Sequence, residues 1–284
     1  MSAVLNKHQQ HEKKGWRARL ELGYANKNGR TILNHRLHKG PLVVQKPFYP
    51  EADVCHSYLI HPPGGIVGGD ILELNINAGK AANVLVTTPA ANKFYRSVGP
   101  QARLQQTIRV QKNAVFEWLP QESIFYNQCH ASIETVFEIE ENAQLICWEI
   151  NCFGRPAGQE FFDTGSVLQK ITVKRDGIPL YIDRTRVDGK SGILTAKWGL
   201  NSFSVMATML VTVNNNLPDP ESMLELQQHN ESYMLSITRQ SDVIVIRYFG
   251  FHAREALSVF TQCWQISRQS LSGKKICPPR IWAT

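Results

Sequence analysis

Residues 104–139 read LQQTIRVQKNAVFEWLPQESIFYNQCHASIETVFEI, and their rhythm decides the fold. Within Leu104–Val110, Val115–Leu119 and Ile133–Ile139, apolar residues recur at every second position, with turn residues between the segments. That period is the signature of strands covered on one face, and it predicts antiparallel pairing. Outward in both directions the rhythm continues. It is present at 17–24, 42–45, 71–76 and 83–87 before this stretch, and at 144–150, 167–173, 180–185, 203–213 and 243–248 after it. The expectation is a mainly β protein, a large antiparallel body of stacked or sandwich-like sheets with a few helices.

Helices are expected late. Asp219, Pro220 and Glu221 supply an N-cap, an N1 proline and a first-turn acid for a helix over 222–228. Over 252–271, Ala256, Leu257, Phe260, Cys263, Trp264 and Leu271 recur at helical spacing, with Arg254, Gln262 and Arg268 outside the stripe, which predicts an amphipathic C-terminal helix. No internal repeat or low-complexity linker is found. Residues 1–15 are polar and aperiodic and read as a flexible tail, leaving 16–284 as a single large β-rich domain.

The chain has 284 residues, 43% hydrophobic and 19% charged, the balance of an ordinary globular protein able to bury a substantial core. Its formal charge of +7 suggests an acidic partner. The cations are scattered, and no zinc-finger spacing, aromatic RNA-binding pattern or basic helix points to nucleic acid. Six cysteines form no CxxC pair, the first residues contain no apolar signal core, and no run approaches the length of a membrane span. These features predict a cytoplasmic protein with reduced thiols and no membrane partner.

Two loops stand out chemically. In HPPGGIVGGD, from His61 to Asp70, Gly64, Gly65, Gly68 and Gly69 permit tight turns around an apolar tip. The run ends in an acid and leads into a strand, which argues against a phosphate cradle. In TTPAANKFYRS, from Thr87 to Ser97, Thr88 and Pro89 end a strand. Lys93 and Arg96 follow at helical spacing, with Tyr95 between them for packing. No nucleophile elbow or protease cysteine is present. Asp70, Glu122, Glu149 and Glu160 are the candidate carboxylates. Two of them brought together would suit a hydrolase acting on a polar substrate such as a glycan. Spaced apart, they would suit transient passage of a cation. Cys55-His56, His61 and Cys129-His130 offer soft ligands, but neighbours on a strand face opposite ways, so a tight permanent site is not expected.

HPPGGIVGGD, TTPAANKFYRS, WLPQE at 118–122, GRPA from Gly154 through Arg155 to Ala157, and the ending CPPRIWAT at 277–284 together resemble the urease accessory protein D family. The resemblance implies a β-rich, non-enzymatic scaffold that binds apo-urease with accessory proteins F and G. Protein G would supply the GTP hydrolysis. It also implies no permanently bound cofactor, with nickel in transit through an internal passage, and it makes Asp70, Glu122, Glu149 and Glu160 candidates to line that passage.

Overall fold

The computed structural model describes residues 15–155, 158–212, 223, 225, 226, 228, 229 and 232–283. In chain order the strands are β1 (Arg17–Lys27), β2 (Arg30–Lys39), β3 (Val43–Val44), β4 (Cys55–Ile60), β5 (Ile71–Ala78) and β6 (Asn83–Thr87). Next come β7 (Asn92–Phe94), β8 (Ala102–Val110), β9 (Val115–Trp118), β10 (Ser123–Phe125), β11 (His130–Ile139) and β12 (Gln144–Phe153). The last are β13 (Ser166–Arg175), β14 (Ile178–Asp188), β15 (Val205–Thr212), β16 (Gln228–His229), β17 (Tyr233–Gln240) and β18 (Val243–Gly250), before a long helix at Ala253–Ser272. The first sheet has the order β14-β13-β11-β8-β5-β1-β2, and the second β16-β17-β18-β15-β12-β9-β6-β4-β3, with β10 beside β12 and β7 beside β10. The mainly β expectation and the C-terminal helix are both seen. The helix expected over 222–228, the first fourteen residues, and Pro156 and Ala157 lie outside the described residues, apart from isolated positions.

Strand direction corrects the antiparallel expectation. From β4 to β13 the chain steps back and forth between the sheets, so β1, β5, β8, β11 and β13 pair parallel in one. In the other, β4, β6, β9 and β12 do the same. Antiparallel pairs flank this coil, including β1 with β2, β13 with β14, and β12-β15-β18-β17. A period of two is identical in both arrangements, so alternation could not separate them. The opposite sheet serves as the crossover, which lets a parallel sheet keep one solvated face. Strand β11 accordingly alternates between inward buried and outward accessible residues along its whole length.

The coil also contains a structural repeat that the residue types conceal. On the way from the first sheet to the second the chain makes three stacked turns, each with one non-glycine residue at positive φ: Ala81 (56°), Asn113 (60°) and Asn142 (57°). A buried alanine follows each of them, at 82, 114 and 143. Asparagine tolerates this conformation better than other side chains, and the small alanine lets the next strand turn inward. At the other end of the coil the returns are long, over 61–70, 88–101, 119–129 and 154–165. Four of the five sequence motifs fall on these long connections.

The apolar interior has two layers. Leu20, Leu74, Ile108, Phe137, Leu145 and Val173 belong to the core between the sheets. On the outer face of the second sheet, Trp148, Ile246, Phe260 and Trp264 form a second core beneath the helix. Arg268, expected outside the helical stripe, is only 3% exposed and lies within it. It follows Trp264 by one turn, and its charge is met by two carboxylates. Its Nε lies 3.0 Å from Glu117 Oε1, and its Nη1 2.8 Å from Glu51 Oε2. Glu51 also accepts from His56 Nε2 at 2.7 Å, so the histidine of the Cys-His pair is a buried hydrogen-bonded residue.

Candidate functional site

The two distinctive loops lie against each other. Ile66 N–H donates to Lys93 O at 2.7 Å, and Tyr95 N–H donates to Ile66 O at 2.9 Å, which places Ile66 as a short parallel bridge beside Phe94. The glycines are required by contact. A Cβ on Gly65 would stand 2.0 Å from the Tyr95 ring, and one on Gly68 would stand 1.8 Å from Ser97 Oγ and 2.6 Å from Pro100 O. Gly64 and Gly69 have φ of 76° and 91°, where a side chain is strained. Asp70 fastens the loop: Oδ1 accepts from Trp16 N–H at 2.8 Å and Oδ2 from Val67 N–H at 2.9 Å.

Lys93 and Arg96 do not share a helical turn. Residues 92–94 form β7, which pairs with β10, so the basic residues sit on and just beyond a short strand. The WLPQE run joins the same end: Gln121 N–H donates to Thr88 Oγ1 at 3.0 Å, while Thr87 Oγ1 donates to Leu119 O at 2.6 Å. Thr87 also accepts from Trp282 Nε1 at 2.9 Å, which docks the C-terminal motif on this end as well. On the surface, Tyr95 packs on Tyr126 with ring centroids 4.9 Å apart, and the Arg155 guanidinium lies 5.6 Å over Tyr126. Glu160 accepts from Asn127 N–H at 3.1 Å and faces Arg155 at 3.9 Å.

Beneath these loops a chamber of about 150 Å³ opens between the sheets, walled by His61, Ile66, Thr88, Pro89, Lys93 and others. Burial holds the His61 imidazolium below its ordinary pKa, against the pull of Asp70. Asn92, Leu104, Gln106 and Trp118 are shared with a smaller cavity of about 20 Å³, which reaches Glu149. That space suits a single water molecule. Trp118 Nε1 is a buried donor without a partner among the described residues, and its residue lines both spaces.

Glu149 is the one candidate carboxylate on the inward row between the sheets. Its Oε1 accepts from Thr135 Oγ1 at 2.6 Å and its Oε2 from the Gln169 amide. Gln106 Nε2 in turn donates to Thr135 at 2.9 Å, and Asn151 to Gln169 at 2.8 Å. Burial raises the Glu149 carboxyl to about pKa 7 against the opposing effect of these donors. Glu122, just ahead of β10, takes part through its backbone, which accepts from Asn92 N–H at 2.9 Å. No two of the four carboxylates share a hydrogen-bonding partner among the described residues. Among those residues no three His, Cys, Asp or Glu side chains form a metal-holding group, and no helix is long and apolar enough to cross a membrane.

Gln106, Thr135, Gln169 and Asn151 are not among the residues expected from the sequence, nor is their relation to Glu149. The signal was present: each is a polar residue at the inward parity of an apolar strand, as Gln106 is between Leu104 and Ile108. Such residues need internal partners.

The chain matches the family model described as UreD urease accessory protein over residues 16–283. It is 38% identical over 275 residues to a urease accessory protein UreD of Alkalilimnicola ehrlichii, covering 95% of this chain and 92% of the relative. It is 39% identical over 271 residues to a urease accessory protein UreD 2 of Brucella anthropi, covering 95% and 99%. With the UreD of Aliivibrio fischeri it shares 37% identity over 279 residues, covering 95% and 97%. The parallel two-sheet coil with its motif loops gathered at one end is therefore that of a member of the UreD urease accessory protein family.

Proposed function

We propose that this chain is a cytoplasmic scaffold of urease maturation that holds apo-urease together with accessory proteins F and G. It passes nickel toward the urease active site along the polar row between its sheets. It performs no catalysis, and GTP hydrolysis belongs to protein G. The observation that carries this reading is the inward row centred on Glu149, reached from the motif loops through two adjoining cavities. One carboxylate, with a hydroxyl and a side-chain amide donating to it, holds a cation weakly enough to release it, unlike a cage of thiolates or imidazoles. A carboxyl that titrates near neutrality exchanges its proton for the cation, so the row holds nickel better as pH rises through about 7.

Exposed apolar residues at the motif end support a docking role for that end. Trp16 is 58% exposed and Val98 97%, with Val67, Tyr95 and Phe161 also accessible. The isolated chain is expected to be poorly soluble and to be stabilised by accessory protein F.

The test is the nickel content of urease in cells expressing its subunits and the other accessory proteins, with this chain intact, deleted, or carrying Glu149→Gln. Deletion should abolish loading, and Glu149→Gln should leave partner capture intact while lowering nickel per urease several-fold. Full loading without the chain would overturn the maturation role, and full loading with the variant would overturn the passage.

A further inference from the structure

The polar row does not end at Glu149. Across the second sheet Glu149 is paired with Thr208, and Thr208 with Arg247, so the three stand side by side on the face turned toward the first sheet. Across the first sheet the facing register runs Gln106, Thr135, Ile171, Asp183. The two rows touch twice. Thr135 meets Glu149 at the inner end, and Asp183 Oδ2 meets Arg247 Nη2 at 2.8 Å at the outer end. Between these contacts lie Ile171 and the buried hydroxyl residue Thr208.

The outer contact sits at the edge of the first sheet, where β14 is the last strand, facing β18 of the second. The Arg247 side chain is 36% exposed and that of Asp183 18%. Three further bonds define the pair: Arg247 Nη2 also donates to Tyr181 Oη at 2.9 Å, Tyr181 Oη donates to Asp183 at 3.2 Å, and Thr185 Oγ1 donates to Asp183 Oδ1 at 3.2 Å. Asp183 is therefore a carboxylate held by three side chains at the rim of the row that Glu149 occupies inside. An arginine lies across it.

We propose that the Asp183–Arg247 pair is a latch over a second, lateral mouth of the inter-sheet row, through which a divalent cation held at Glu149 leaves. This deepens the nickel reading and rests on it. A dication arriving at Glu149 repels the guanidinium two strands away and attracts Asp183, so the cargo itself favours the open latch. Freed of Arg247, Asp183 offers the next carboxylate along the row. Tyr181 and Thr185 supply neighbouring oxygens.

Cys147 reports on this opening, since it is buried on the same inward face of β12, two residues from Glu149. The experiment uses the full chain in its accessory complex. It measures site-resolved labelling of Cys147 by a small methanethiosulfonate, with Cys263 in the other core as the reference for global unfolding. Arg247→Ala and Asp183→Asn should each raise Cys147 labelling about tenfold or more with Cys263 unchanged, and Arg247→Lys should raise it less. In cells, Asp183→Asn should lower urease nickel content several-fold while partner capture persists. Unchanged Cys147 labelling in both variants would overturn the latch. Wild-type nickel content with Asp183→Asn, while Glu149→Gln loads poorly, would overturn the lateral mouth alone; full loading with both variants would remove the nickel reading beneath it.

Discussion

Glu149→Gln removes the carboxylate at the centre of the inter-sheet row while keeping its size, and its effect on stability has a calculable pH dependence. In the folded protein the carboxyl titrates near 7, against 4.5 for an ordinary glutamate. At about 1.36 kcal/mol per unit this difference amounts to roughly 3.4 kcal/mol. Glu149 keeps part of its surface accessible at the cavity, so screening reduces the figure to about 2 kcal/mol. The sign follows from proton binding. With the folded pKa raised, the native state keeps a proton that the unfolded chain releases first, so stability falls as pH rises from about 4.5 and the loss is complete above about 7. The glutamine variant lacks this titration. Urea unfolding of both proteins from about pH 5 to about pH 8.5 should give a wild-type minus variant difference that becomes more unfavourable by about 1.5 kcal/mol, the rest of the change lying below pH 5. Other titrating groups contribute equally to both curves and cancel. A difference that stays flat over this range would refute the claim that Glu149 is desolvated between the sheets.

Other substitutions test the motif end and the helix-side core. Gly65→Ala should destabilise the protein by about 1–3 kcal/mol and be largely rescued in the Tyr95→Ala background, because the nearest obstructing atoms all belong to that ring. Gly68→Ala should not be rescued by Ser97→Ala, since the Pro100 carbonyl remains 2.6 Å away; thermal unfolding of the single and double variants separates the two cases. Arg268→Met leaves Glu51 and Glu117 without their buried cation and should cost about 3–5 kcal/mol in chemical denaturation, with most of that recovered when Glu117→Gln is added. Trp282→Phe removes the indole donor to Thr87 and should lower stability by about 1 kcal/mol, with Trp282→Ala costing more through lost packing on Trp148 and Trp264, as read by the unfolding midpoint.

Strand content and the C-terminal helix were legible in the residues alone, because alternation of apolar side chains and a helical stripe are local consequences of backbone geometry. The motif strings are legible too, and they carry the resemblance to the family. Pairing direction was not, since β8 and β11 alternate identically whether their neighbours run parallel or antiparallel. The repeat of turns at 81, 113 and 142 was hidden because each turn is fixed by one residue's φ and a small neighbour. Arg268 lies outside the apolar stripe in the sequence, and only the fold brings Glu51 and Glu117, more than 150 positions earlier, beneath the helix to meet it.

Among the carboxylates, sequence could name Asp70, Glu122, Glu149 and Glu160 but not rank them. The tertiary structure gave Asp70 to the amides of Trp16 and Val67, and Glu160 to Asn127 and Arg155. It turned Glu149 inward to meet polar residues from two strands of the facing sheet. Local periodicity says which residues share a face of one strand. Which two faces enclose a common space depends on pairing between distant strands, and only the folded chain supplies that.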